Sequence, residues 1–161
     1  MSWKNNDGLF LKFGTENAVS NTGGEYRTNG ALHEIEVKID LTTLGTSASI
    51  QSDQIFFPKN ARIEEVEVVT HTAATGTGAV LNIGLQQTDR STEIDYDGFV
   101  AAAALTTLDA AGEKTVLRVG STGAGALIGA TNSTVGYITA DYDTAAFTAG
   151  VIYVRIRYYA V

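Results

Sequence analysis

The sequence predicts an all-β protein, a single antiparallel β-sandwich of jelly-roll-like type with about eight strands. Three observations predict it. Apolar residues recur at every second position in the clearest segments, which is the strand period. Those segments are separated by loops rich in Gly, Ser, Thr, Asn and Asp. With one proline and no cysteine in 161 residues, the core must be made by burial alone. A chain of this length can do that, since it hides about 70% of the surface its unfolded form exposes.

The elements follow in order. MSWKNNDG is polar and reads as an N-terminal arm over residues 1–8, ahead of one sandwich domain over residues 9–161. Leu9, Leu11 and Phe13 then alternate with Phe10 and Lys12. In His33–Leu41, Ile35, Val37, Ile39 and Leu41 alternate with Glu34, Glu36, Lys38 and Asp40, so one side belongs on a core and the other in water. Gln54–Phe57 is a short apolar run stopped by Pro58, with Lys59 and Asn60 as turn residues. Ile63–Thr70 is rich in valine, and Leu81, Ile83 and Leu85 alternate with Asn82, Gly84 and Gln86. Thr115–Val119 and Val135–Thr139 are further strands. In the last segment Ile152, Val154, Ile156 and Tyr158 share one face, and Tyr153, Arg155, Arg157 and Tyr159 the other. One stretch departs from the pattern. Asp97-Gly98 followed by FVAAAALTTL predicts a short helix near 98–108, because consecutive alanines favour helix over strand.

Charge and length bound the function. Eleven Lys and Arg against 18 Asp and Glu give a formal net charge of −7, a surface that repels polyphosphate and argues against nucleic acid as a partner. The longest apolar run, Phe99 to Leu105, is far short of the ~20 residues of a membrane span. The first 14 residues hold no run of signal-peptide length. No membrane partner is expected.

The residue patterns that usually carry chemistry are weak. His33 and His71 are far apart and form no ligand pair, and no G-x-S-x-G elbow is present. Glu93-Ile-Asp95-Tyr-Asp97-Gly98 has the look of a calcium-loop start, but the twelfth position, where a bidentate carboxylate is needed, is Ala104. The acids there read as solvated turn residues, with Asp97 capping the alanine-rich turn. A looser calcium site using Asp95, Asp97 and the Asp141/Asp143 pair is the alternative. GSTGAGALIG, residues 120–129, lacks the helix and βαβ unit of a dinucleotide loop and reads as a place where two backbones approach closely. Asn132-Ser133-Thr134 matches a glycosylation sequon. No enzyme activity, cofactor or metal is expected.

Interaction features remain. Tyr153, Arg155, Arg157 and Tyr159 concentrate the residue types of binding hot spots on one strand face. Glu34 and Glu36 supply acids for those arginines, within the chain or on a sister copy. The face is either buried at a subunit or capsid contact or left exposed with cross-strand ion pairs. Trp3, the lone tryptophan, would anchor the arm to a neighbour or fold back over its own core.

DGLFLKFGTE, GGEYRTNG, HEIEVKIDLT, FFPKNARIEEVEVVT, STEIDYDGF, GSTGAGALIG and FTAGVIYVRIRY span nearly the whole chain. In texture and order they resemble the capsid decoration, or cement, proteins of tailed bacteriophages. The resemblance implies a β-sandwich that binds between major capsid protein subunits, on the outer surface of the virion, as a homo-oligomer, with a trimer favoured. It also implies synthesis in the host cytoplasm. A second reading is a carbohydrate-binding sandwich module, on a phage fibre or attached to an enzyme. Its platform would be Tyr96, Tyr137 and Tyr142, with calcium held by the neighbouring aspartates.

Overall fold

The structure, a computed structural model, describes residues 3–4, 10–11 and 32–160. It contains twelve strands: β1 Trp3–Lys4, β2 Phe10–Leu11, β3 Leu32–Asp40, β4 Ser49–Ile50, β5 Phe56–Phe57, β6 Ala61–Thr75, β7 Val80–Gln87, β8 Glu93–Ala104, β9 Lys114–Leu117, β10 Thr131–Asn132, β11 Gly136–Asp143 and β12 Ala149–Ala160. β1 pairs with β2 as a separate two-stranded ribbon. The remaining strands form two antiparallel sheets. In the first, β9 and β10 share one side of β6, followed by β12 and β3. In the second, β4 and β5 share one side of β11, followed by β7 and β8. The all-β sandwich expected from the alternation is the fold observed.

Register turns the two-residue period into layers. Across β3, β12 and β6, Ile35 lies opposite Ile156 and Val66, and Val37 opposite Val154 and Val68. Ile39 pairs with Ile152 on the same inner side. These rows face Leu81, Ile83, Leu85, Phe99 and Ile138 of the second sheet in one buried cluster. Phe57 packs edge-on to Phe99 and to Tyr158, at 5.4 and 5.2 Å between ring centres, and plugs one end. Each such side chain contributes roughly 1.5–3 kcal/mol by leaving water.

One interruption of the alternation has a structural use. Ile63-Glu64-Glu65-Val66 puts two residues between inward positions, and the ladder to β12 shifts by one there, with Arg157 opposite Glu65 and Tyr158 opposite Ile63. Glu64 is the extra residue of a β-bulge. It points to solvent, while Glu65 returns to the outer face.

The helix expected near 98–108 is not formed. Glu93–Ala104 is strand, and only Leu105–Thr107 makes a single 3-10 turn; Asp97 therefore caps nothing. Tertiary pairing overrides alanine's helical preference, which amounts to only a few tenths of a kcal/mol per residue. Ala103 and Ala104 pair with β7, and Ala101 N–H donates to Gly123 O at 2.9 Å. A bulge gives Ala102 a φ of 55°, and its N–H donates to Asn82 Oδ1 at 3.0 Å. Small side chains suit this site because the 120–129 segment lies directly against the strand.

That segment closes one flank of the sandwich. Gly125 N–H donates to Phe99 O (3.3 Å) and Leu127 N–H to Gly98 O (2.9 Å) on β8, while Gly129 N–H donates to Ile63 O (2.8 Å) on β6. It thus ties one sheet to the other. A Cβ at Gly125 would stand 2.1 Å from Asp97 O and 2.2 Å from Gly98 C, so only glycine permits this approach. Gly125→Ala is expected to lower stability by about 1–3 kcal/mol or more. Gly45→Ala, whose Cβ would meet nothing nearer than 3.9 Å, should change it by less than about 0.5 kcal/mol. Urea unfolding of the two variants checks the contrast.

Candidate interaction surface

The same register that stacks aliphatic rows inside the first sheet stacks charged rows outside it. Arg155 stands between Glu36 on β3 and Glu67 on β6, and Arg157 between Glu34 and Glu65. Arg155 Nε donates to Glu36 Oε2 at 2.6 Å and Nη1 to Glu67 Oε1 at 2.9 Å. Arg157 Nε donates to Glu34 Oε2 at 2.7 Å, and its Nη1 donates to Glu65 Oε1. From the β9 side, Lys114 Nζ reaches Glu67 Oε2 at 2.5 Å, and Arg118 Nε and Nη2 reach Glu65 Oε2 at 2.8 and 2.7 Å. Acid and base alternate along each row.

The acids in the two columns differ in environment. The Glu34 and Glu36 side chains are 44% and 43% exposed, whereas those of Glu65 and Glu67 are 7% and 2% exposed. A carboxylate this enclosed must be paired, because an isolated buried charge is very costly. Each of these two has a base on either side. Hydrogen bonds from Arg118 and then Arg157 hold the Glu65 carboxyl below its ordinary pKa of 4.5, against the opposing effect of burial. Lys114 and then Arg155 do the same for Glu67. Hydrogen bonds to Glu36 and Glu67 raise the pKa of Arg155, and those to Glu34 and Glu65 raise that of Arg157.

Glu34, Glu36, Arg155 and Arg157 are therefore brought together, and the acids that serve the arginines come from the same chain. Tyr153 and Tyr159 flank the rows. Tyr153 lies opposite Lys38 and Val69, with His71 edge-on to its ring at 5.6 Å; Tyr159 lies opposite Leu32 and Arg62. Trp3 is part of β1, but its side chain lies outside the described residues, as do Leu9 and Phe13. Sequence reasoning missed Glu65, Glu67, Lys114 and Arg118. Placing Val66 and Val68 inward puts Glu65 and Glu67 on the outer face, but that this face adjoins the arginines follows only from the pairing of β6 with β12.

Two features read from the sequence are placed differently by the fold. Tyr137 is no surface platform; it is buried, 6% exposed. Phe56 covers it at 5.0 Å between ring centres, and the Arg90 guanidinium lies 5.2 Å from the ring centre. Tyr96 and Tyr142 are half-buried. The exposed aromatic here is Phe56, beside exposed Ile55. Its position was readable from Phe56-Phe57, since adjacent strand residues face opposite ways. The sequon asparagine Asn132 is also buried, and its amide donates to Pro58 O (3.2 Å) and Thr134 O (2.5 Å), so it offers no acceptor site in the folded chain.

His33 stacks on Tyr158 at 5.5 Å, far in the fold from the His71–Tyr153 pair. Asn82 Nδ2 donates to Asp141 Oδ1 (3.0 Å) and Asp143 Oδ2 (2.8 Å). Burial, then the Asp97 carboxyl beside it, pushes Asp95 up to about 6. Among the described residues no group of three or more Asp, Glu or His side chains is placed to hold a metal ion.

Three solved structures share this architecture over most of their length. A chain of the cyanophage Pam1 capsid asymmetric unit aligns with a TM-score of 0.55 at 15% identity, covering 91% of this chain and 98% of that one. A chain of the acid-stable capsid of Helicobacter pylori bacteriophage KHP30 gives 0.54 at 11%, covering 82% and 90%. One from the capsid of Ralstonia phage GP4 gives 0.54 at 14%, covering 88% and 92%. This is a fold that phage capsids contain. At such identities the likeness is one of fold alone. No protein-family model matches the sequence, and no curated protein matches it.

The buried carboxylates make the rows sensitive to acid. Because their folded pKa values are depressed, Glu65 and Glu67 stabilise the fold fully above about pH 4.5, and that contribution is lost as pH falls through the folded values. Glu67→Gln is expected to cost about 1–3 kcal/mol at pH 7. The gap between wild type and variant should narrow below pH 4.5, measured by urea unfolding at a series of pH values.

Proposed function

We propose that the protein is a structural component of a phage virion, sited on the outer surface of the capsid between major capsid protein subunits. One observation carries the reading: 82–91% of this chain matches chains found in three phage capsid structures, with 90–98% of those chains covered. The resemblance of the sequence segments to capsid decoration proteins supports the finer assignment. No chemistry is required for such a role. A clip that touches several subunits gains from multivalency even when each contact is modest.

The outer face of the first sheet is the contact surface in this reading. Glu34, Glu36, Arg155 and Arg157 form a flat, internally neutral lattice that a partner surface meets without leaving a bare charge, and Tyr153 and Tyr159 supply contact area at its ends. The protein acts as a homo-oligomer, a trimer, and residues 1–8 form an arm in which Trp3 anchors the 9–161 domain to its neighbour.

Mixing the purified protein with capsids that lack it, followed by cryo-electron microscopy, should show added density at symmetry-related positions between capsomers. The double variant Tyr153→Ser/Tyr159→Ser is expected to lower occupancy at least about tenfold while keeping the melting temperature within a few degrees. Trp3 fluorescence should shift to the blue on capsid binding. Particles that stay bare with the wild-type protein would sink the assignment, and an unmoved Trp3 spectrum would remove the arm from it.

A further inference from the structure

We propose that the exposed Phe56 ring of one copy inserts into an apolar cavity on the flank of a second copy, joining the chains head to tail. The contact belongs to the homo-oligomer proposed above and rests on that reading. The cavity has a volume of about 170 Å³ and lies between β8 and the β6–β9 side of the first sheet. Val68, Val100, Leu108 and Leu117 form its buried base, and the exposed Ala104 and Thr122 mark its mouth. Its origin is the alanine run of β8: Ala103 packs against the core there but is too small to fill the space. Protein interiors rarely leave a void of this size empty.

Phe56 has the size and setting to fill it. An apolar cavity of about 150 Å³ accepts a benzene ring, so this one has room for a phenyl group. Phe56 is 53% exposed and its neighbour Ile55 44%, an apolar pair of the kind that marks a contact. The ring rests on Tyr137, whose own ring is flanked by the Arg90 guanidinium, so Phe56 is already ordered and loses little freedom on insertion. It cannot enter the cavity of its own chain. β5 lies beyond β11 on one side of the second sheet and β8 beyond β7 on the other, at least about 14 Å away. A second copy can offer its cavity, which leaves one ring and one cavity for further copies. Such a heterologous contact closes into a ring when the rotation per copy allows it, as a trimer requires. Charge at the two rims agrees: Lys59 is exposed just after β5, and Asp109 is exposed next to Leu108. The flanks make this contact, and the outer face of the first sheet is left to the capsid.

Sedimentation of the wild type over a dilution series should show self-association, and Phe56→Ser and Thr122→Trp should each weaken it at least about tenfold. The first variant keeps the cavity and the second keeps the ring. An equimolar mixture should therefore form one-to-one pairs that neither forms alone, a rescue that misfolded variants could not give. The chain has no cysteine, so Ile55→Cys and Thr122→Cys proteins can be mixed under mild oxidation. They should cross-link to each other at least about tenfold faster than either does to itself. Self-association that both variants leave unchanged, or a mixture that forms no pairs, overturns this contact and leaves the homo-oligomer standing. A wild type that is monomeric throughout overturns both; if Phe56→Ser then loses capsid binding, the partner of the ring is a capsid subunit instead.

Discussion

Much of this structure depends on pairing enclosed carboxylates with arginines at fixed positions along a sheet. Three adjacent strands, β3, β12 and β6, are held in one register, so aliphatic rows inside alternate with Glu–Arg–Glu rows outside. A slip by one residue would drive Glu65, Glu67, Arg155 and Arg157 into the core and expose the isoleucines and valines. The two kinds of row therefore specify the same register from opposite sides. The apolar rows supply most of the free energy, and the charged rows penalise the alternatives.

The second sheet is built by different means. Its outer strand β8 is irregular, with several register shifts against β7, and it relies on the 120–129 segment to hold it from the other side. Glycines at 84 and 125 let backbones cross where any side chain would collide, and Gly98 leaves room for the Leu127 side chain. The result is one rigid, charge-balanced face and one acid-rich face on the same small domain.

The parts of the fold that the sequence disclosed are those where period and burial agree. His33–Leu41 and the closing segment could be placed with their faces because each apolar residue is followed by a charged one. The close-approach reading of GSTGAGALIG was available because nothing after Gly129 continues as a helix. The alanine run misled, since local preference among alanines is worth little against a ladder to β7 and a segment that needs small neighbours. Of the interaction surface, Arg155, Arg157, Glu34 and Glu36 were readable from alternation. Glu65 and Glu67 were not, because their importance depends on which strand lies beside β12, and a non-local pairing leaves no mark within a single segment. Tyr137 was misplaced for the same reason: Phe56, which covers it, belongs to a strand some 80 residues earlier in the chain.

A double-mutant cycle on Arg155 with each of its two acids tests the central claim most directly. Arg155→Met is combined with Glu67→Gln and, separately, with Glu36→Gln, and unfolding free energies are measured at pH 7. If enclosed pairing locks the register, the coupling of Arg155 to Glu67, whose side chain is 2% exposed, must clearly exceed its coupling to Glu36, at 43%. Equal couplings, or none to Glu67, would contradict the account.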